Sequence, residues 1–289
     1  MIITLILILF NTLILIFNVE AISSARHGLE IWLINVVPSL FPFMVVTNII
    51  LKRLPKLSEK SSKFLAFTVG FTAGAPLSTK IIGDLLRENK LTKIEAQKLL
   101  SSCTNMGMIF ILGTVTSITG DFPLSKKILA VHYFSAILTF FLFKFYKSSY
   151  KEEIALEKKE IKFKKENFST IFKDSIANSV KTTLAIGGYI IFFSVIIRFL
   201  ELSRVAHYIS QIINFEDAIP LIYGLFEVTT ALSYTNSPMV IATIMSFTGI
   251  SIISQSISFL DKSGLNLKVF IASKFIHAAI TFLISYLVF

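Results

Sequence analysis

Two stretches combine helix breakers with groups able to hold a solute. In "VGFTAGAPLSTKIIGD", residues 69–84, Gly70, Gly74 and Pro76 interrupt an apolar segment, and Thr72, Ser78, Thr79 and Lys80 supply hydrogen-bond donors. A half-helix starting near Pro76 would turn its positive N-terminal end, with Lys80, toward an anionic group. The plainer alternative has Lys80 snorkelling to the interface and the glycines letting helices pack closely. In "YGLFEVTTALSYTNSP", Glu227 is the acid in an apolar setting, accompanied by Thr229, Thr230, Ser233, Thr235 and Asn236. A carboxylate inside a membrane is costly unless it faces a partner or a cavity. Glu227 is therefore expected to take a proton or cation, or to pair with Lys80, against the simpler role of bonding the neighbouring hydroxyls.

A polar notch follows each stretch. "SSCTNMG" carries Ser102, Thr104 and Asn105, and "TGISIISQS" carries Ser251, Ser254 and Gln255. Such uncharged groups either bind a solute or hydrogen-bond between helices. The candidate solute-binding set is thus Gly74, Ser78, Thr79, Lys80, Asn105, Glu227, Thr229, Thr230, Asn236 and Gln255.

The elements that must position these groups are membrane helices. Of 289 residues, 54% are apolar and only 16% charged, a composition that leaves too little charged surface for a soluble domain. Apolar runs near residues 2–19, 29–51, 100–119, 128–146, 182–200, 238–260 and 268–289 are long enough to cross roughly 30 Å of hydrocarbon. The expected fold is all-α and multi-pass, with residues 64–83 and 218–236 as two re-entrant or broken helical hairpins. Irregular backbone survives at membrane depth only inside protein or beside a watery cavity. The opening run lacks a basic flank and a small-residue cleavage site, so it reads as a retained transmembrane helix rather than a signal peptide.

The net charge of +10 sits between the apolar runs, where basic residues report orientation rather than nucleic-acid binding. With Lys52, Arg53, Lys56, Lys60 and Lys63 cytoplasmic, the chain walk also places the basic segment 147–174 inside and the C-terminus outside. That segment separates two halves that both read span, broken hairpin, span, span. Their last spans, "YFSAILTFFLF" and "FIHAAITFLIS", pair Ala136 with Ala278, Thr139 with Thr281 and Phe140 with Phe282. The expected organisation is an N-terminal helix (1–20), a gate-like repeat (21–146), a basic cytoplasmic linker (147–174) and an inverted gate-like repeat (175–289). Inverted repeats with discontinuous helices characterise secondary transporters, whose solute sits between the breaks.

Four histidines lack metal-ligand spacing, Cys103 is the sole cysteine, and no phosphate loop or nucleophile elbow is present. No metal or cofactor is expected, and an enzyme is the weakest class.

"LINVVPSLFPFMVVTNIIL", "GFTAGAPLSTKIIGDLLRENKLTKIEAQKLLSSCTNMGMIFILGTV", "SIANSVKTTLAIGGYIIFFSVII" and "GLFEVTTAL", in that order, resemble the YlbJ-type sporulation integral membrane proteins of the nucleoside-recognition or gate-domain group. The family's first hairpin usually reads Gly-Tyr/Phe-Pro-Ser-Gly-Ala-Lys, so proline and lysine are displaced in "GFTAGAPLSTK", and "CTN" keeps only Asn105 of a paired asparagine. The resemblance implies a carrier of a small organic anion, dipicolinate, during endospore formation, with Gly74, Asn105, Glu227 and Gln255 at matching positions. It also implies a cell-membrane location, specifically the mother-cell-derived outer forespore membrane. A nucleoside or nucleobase carrier and a non-transporting sporulation scaffold are the alternatives. The expected partners are the anionic solute and the lipid bilayer, no nucleic acid, with a homo-oligomer left open.

Overall fold

The computed structural model describes residues 2–53, 59–87, 89–144, 167–260 and 263–289, and every regular element among them is helical. Helices α1 (Ile2–Ile16) and α2 (Asn18–Ile31) lead through a π turn, Trp32–Val36, into α3 (Val37–Arg53). The first broken hairpin is α4 (Glu59–Thr72) and α5 (Leu77–Arg87), followed by α6 (Lys93–Cys103), α7 (Met108–Thr119) and α8 (Phe122–Lys144). The second half has α9 (Phe168–Leu202), α10 (Val205–Ile213), α11 (Ala218–Phe226), α12 (Val228–Ala231) with a 3-10 turn at Leu232–Tyr234, α13 (Pro238–Phe247), α14 (Gly249–Phe259) and α15 (Leu267–Val288).

Six stretches among the described residues are long and apolar enough to cross a membrane: Asn18–Ile50, Lys93–Thr119, Phe122–Phe143, Phe168–Leu202, Pro238–Phe259 and Leu267–Val288. The protein is an all-helical, multi-pass membrane protein. Its outer helices are inside-out compared with those of a soluble domain. On α8 and α15, Phe134, Ile137, Phe141, Phe275 and Leu283 are exposed, whereas His132, Ser135, Thr139, Lys274, His277 and Thr281 are buried. Lipid satisfies the apolar faces, and the polar groups find their partners between helices.

Two expectations need revision. The first apolar run forms the 15-residue α1, about 22 Å long, and the helix resumes at Asn18 to run without a loop into the second run. The runs at 100–119 and 238–260 are not continuous helices: residues Thr104 to Gly107 separate α6 from α7, and Thr248 in a left-handed conformation separates α13 from α14. These two broken spans are 72% and 78% buried, against 28–44% for the other four, which is where interrupted backbone can survive at membrane depth.

The two halves share one order of elements: long helix (α3, α9), broken hairpin (α4–α5, α11–α12), broken span (α6–α7, α13–α14) and long helix (α8, α15). Their packing follows the same exchange. Helix α3 packs on α7 as α9 packs on α14, and α8 packs on α13 as α15 packs on α6. Ala136, Ala278, Thr139 and Thr281 are all buried, and Phe140 and Phe282 are both half-buried. The identities in the last spans therefore mark equivalent faces.

The basic linker falls mainly on residues 145–166, outside the described residues, and its last part, from Phe168, already belongs to α9. Lys52 at the end of α3 pairs with Asp174 near the start of α9 at 2.8 Å, and the Asn48 amide donates to Ser179 Oγ at 2.9 Å. The end of α3 and the beginning of α9 therefore lie at one end of the molecule.

Close backbone approach holds α9 to the π turn. The Trp32 indole N–H donates to the Thr183 carbonyl at 3.0 Å, and a Cβ on Gly187 would stand 2.7 Å from the indole ring. Gly187→Val is expected to destabilise the protein by about 1–3 kcal/mol through overpacking, read as a lower melting temperature in detergent. An unchanged melt would mean the indole has room to move.

Candidate functional site

The hairpins and the broken spans cross at their breaks. Gly74 ends α4 with φ +71°, a left-handed conformation in which glycine meets no steric penalty. The following Ala75 N–H donates to the Asn105 carbonyl at 2.8 Å, joining the break of the hairpin to the break between α6 and α7. A Cβ on Gly74 would lie 2.2 Å from Gly107 N, and one on Gly107 would lie 2.4 Å from the Ala73 carbonyl oxygen. The Tyr133 hydroxyl, from α8, donates to the Phe71 carbonyl and braces the crossing.

The second half repeats the device. Glu227 has extended backbone between α11 and α12, and Gly249, with φ +65°, approaches it from the broken span. A Cβ on Gly249 would be 3.2 Å from the Gly224 carbonyl oxygen and 3.3 Å from that of Phe226.

Glu227 is 1% exposed, and its carboxylate caps α12. One oxygen accepts from the Thr229 N–H at 3.0 Å, the other from the Thr230 N–H at 2.5 Å, and the Thr229 hydroxyl reaches both at 2.7 and 2.8 Å. An acid at a helix N-terminus satisfies orphan amides and meets the positive end of the dipole. The N-terminus of this half-helix is thereby already occupied by the chain's own carboxylate. Thr230 shares a 2.8 Å hydroxyl contact with Ser194 on α9.

Between the breaks lies a small cavity lined by Ala73, Ala75 and Pro76 from the first hairpin, Met106 and Gly107 from the first broken span, and Glu227 and Thr229 from the second hairpin. Gln255 on α14 completes the polar side, and Val36, Leu40, Phe110, Ile186, Ile190 and Ile252 form an apolar wall. The Gln255 amide nitrogen lies 3.5 Å from Ser251 Oγ, and its oxygen is buried without a partner.

Of the sequence-predicted residues, Glu227, Thr229 and Gln255 meet in this cavity. Gly74 and Asn105 lie outside the lining, at the main-chain crossing beside it, and the Asn105 side chain turns away to donate to the Ser102 carbonyl at 3.0 Å. Ser78 and Thr79 occupy the first turn of α5, fully buried, with hydroxyls lacking partners, but outside the lining. Lys80 is half-buried on the same helix and Asn236 is exposed; neither lines the cavity. The Glu227–Lys80 pairing is not what forms, since the carboxylate is bonded to Thr229 and Thr230.

Among curated proteins, the chain is similar to "Sporulation integral membrane protein YlbJ" of Bacillus subtilis (strain 168), at 24% identity over 306 residues covering 88% of this chain and 74% of that protein. A membrane role in sporulation fits the match. No protein-family model and no solved structure matches.

The chain also holds buried polar groups that lie outside the candidate solute-binding set. Lys274, His277 and Thr281 on α15 are buried against His132 on α8 and Ser246 on α13. The signal was available, because a lysine within "VFIASKFIHAAITF" is an ionisable group inside a span.

Proposed function

We propose that the protein is a membrane carrier of a small organic anion, with dipicolinate as the solute moved during endospore formation. The observation that carries this reading is the cavity held between two pairs of helix breaks, the position at which broken-helix transporters keep their solute. The apolar wall of Val36, Leu40, Phe110, Ile186 and Ile190 suits a flat ring, and the Gln255 amide nitrogen is a donor for a carboxylate substituent.

Charge sets the conditions. A dianion beside an ionised Glu227 meets repulsion, which is severe where little water screens it. Entry is favoured when either group carries a proton, so dipicolinate uptake is expected to rise as pH falls. The test is uptake of labelled dipicolinate and of a neutral nucleoside into proteoliposomes across a pH series. Saturable dipicolinate uptake that increases with acidity supports the anion carrier.

A second reading rests on the same lining. The carboxylate and the unpartnered Gln255 oxygen are acceptors, a pattern that fits the N–H groups of a neutral nucleobase. Nucleoside uptake without dipicolinate uptake would select that reading. Flux equal to empty vesicles for both solutes would leave a sporulation scaffold.

A further inference from the structure

Lys274 lies in the middle of α15 and is 1% exposed. Its ammonium donates to the main-chain carbonyl of Thr104 at 2.5 Å and stands 5.3 Å from the centre of the Phe270 ring. Thr104 is the C-terminal cap of α6, where carbonyls point outward with no following helical turn to receive them. The carbonyl end of a helix carries a partial negative charge, and an aromatic face adds further attraction for a cation. Among the described residues, no carboxylate forms an ion pair with Lys274.

The groups around it are few. Helix α6 presents Cys103, α8 presents His132 with the Ser246 hydroxyl of α13 behind it, and α15 itself presents His277. The rings of His132 and His277 are 4.8 Å apart, and each keeps one buried nitrogen without a partner.

The repeat adds an independent argument. The offset that pairs Ala136 with Ala278 also pairs His132 with Lys274 and Thr104 with Ser246. Lys274 bonds Thr104, and His132 Nδ1 lies 2.8 Å from Ser246 Oγ. The last helix of each half thus reaches across to the same point on the broken span of the other. At one of these equivalent points the group is an ammonium set against a helix carbonyl. In broken-helix carriers the carbonyl ends of half-helices are where a coupling cation is coordinated.

We propose that Lys274 is a tethered cation filling a monovalent-cation site at the carbonyl end of α6, so that this crossing is held together without a bound alkali-metal ion. Its meaning for coupling, that solute flux needs no sodium, rests on the carrier reading. The melting test does not, so the two fail separately.

The test uses the purified full-length protein in detergent. Wild type is expected to melt alike in sodium chloride and choline chloride at equal ionic strength. Lys274→Ala is expected to lose roughly 5–10 °C and to regain at least half of it in sodium or methylammonium chloride, but not in choline chloride, whose head is too bulky for the vacated space. Lys274→Met, similar in length and uncharged, is expected to melt below wild type without cation rescue, because its side chain fills the site. Sodium-dependent melting of wild type would overturn the proposal, and that measurement needs no variant. So would Lys274→Ala losing nothing or failing to recover in both small cations, or Lys274→Met matching wild type.

Discussion

Gly74→Ala is expected to remove most of the folded protein from detergent extracts of the membrane. The added methyl group would stand 2.2 Å from Gly107 N, 2.6 Å from the Asn105 carbonyl oxygen and 2.7 Å from Gly107 Cα. All three are main-chain atoms, so no side-chain rotation relieves the clash. The backbone would have to move, and the Ala75 to Asn105 hydrogen bond would move with it. Overpacking of this kind costs about 1–3 kcal/mol or more, the left-handed conformation costs a β-carbon-bearing residue about 1–2 kcal/mol, and a strained hydrogen bond adds about 1 kcal/mol. Together these take a large share of the 5–15 kcal/mol that typically separates folded from unfolded protein. Gly120 provides the control. It has φ +69° but nothing within 4 Å of an added Cβ, so Gly120→Ala should show the conformational cost alone. The measurement is the monodisperse fraction on size exclusion beside the melting temperature. Equal behaviour of the two variants would show that the crossing at Gly74 has slack.

Substitution of Glu227 is expected to separate capping from solute handling. Glu227→Ala leaves the amides of Thr229 and Thr230 without their acceptor in a buried setting, at about 1–3 kcal/mol each, so low abundance is expected. Glu227→Gln replaces one accepting oxygen with a donor facing another donor, and an intermediate loss is expected. Glu227→Asp is the informative variant. Aspartate is itself a favoured N-cap, so α12 should persist, while the carboxylate withdraws from the cavity by one methylene. Melting close to wild type with uptake reduced roughly tenfold is the expected result. Full uptake by a folded Glu227→Asp would confine Glu227 to its capping role.

The hairpin breaks were legible because few residue types produce them. Gly74 and Pro76 within an apolar run announce a turn, and an acid placed as Glu227 is placed in its run must face something polar. The breaks at Thr104 to Gly107 and at Thr248 were not legible, since Thr, Asn and Met are all tolerated in helices. There the interruption is imposed by the crossing: Gly107 lies against Ala73, and Gly249 lies against Gly224 and Phe226. Segments far apart in sequence supply that constraint, and no local pattern encodes it. The same distance hid the role of Lys274, whose partner Thr104 lies in the other half of the chain. Lys80 erred in the opposite direction. It follows the break closely in sequence, but α5 leaves it half-buried and outside the lining. The continuity of α2 into α3 was missed because its polar residues, among them Glu20, Arg26 and His27, resemble a connecting loop when hydropathy alone is read.

The main-chain crossing of Gly74 with Gly107 has a consequence for how such a protein can change its solute. A crossing made of peptide groups is almost blind to mutation: any side chain added there collides before it can select. Recognition can therefore drift through the surrounding apolar walls, at Val36 in the π turn, Leu40 on α3, Phe110 on α7, Ile186 and Ile190 on α9, and Ile252 on α14. Relatives that keep both glycines but exchange these six side chains would share one machine while differing in cargo, and grafting the six would be the most economical way to transfer a preference from one to another.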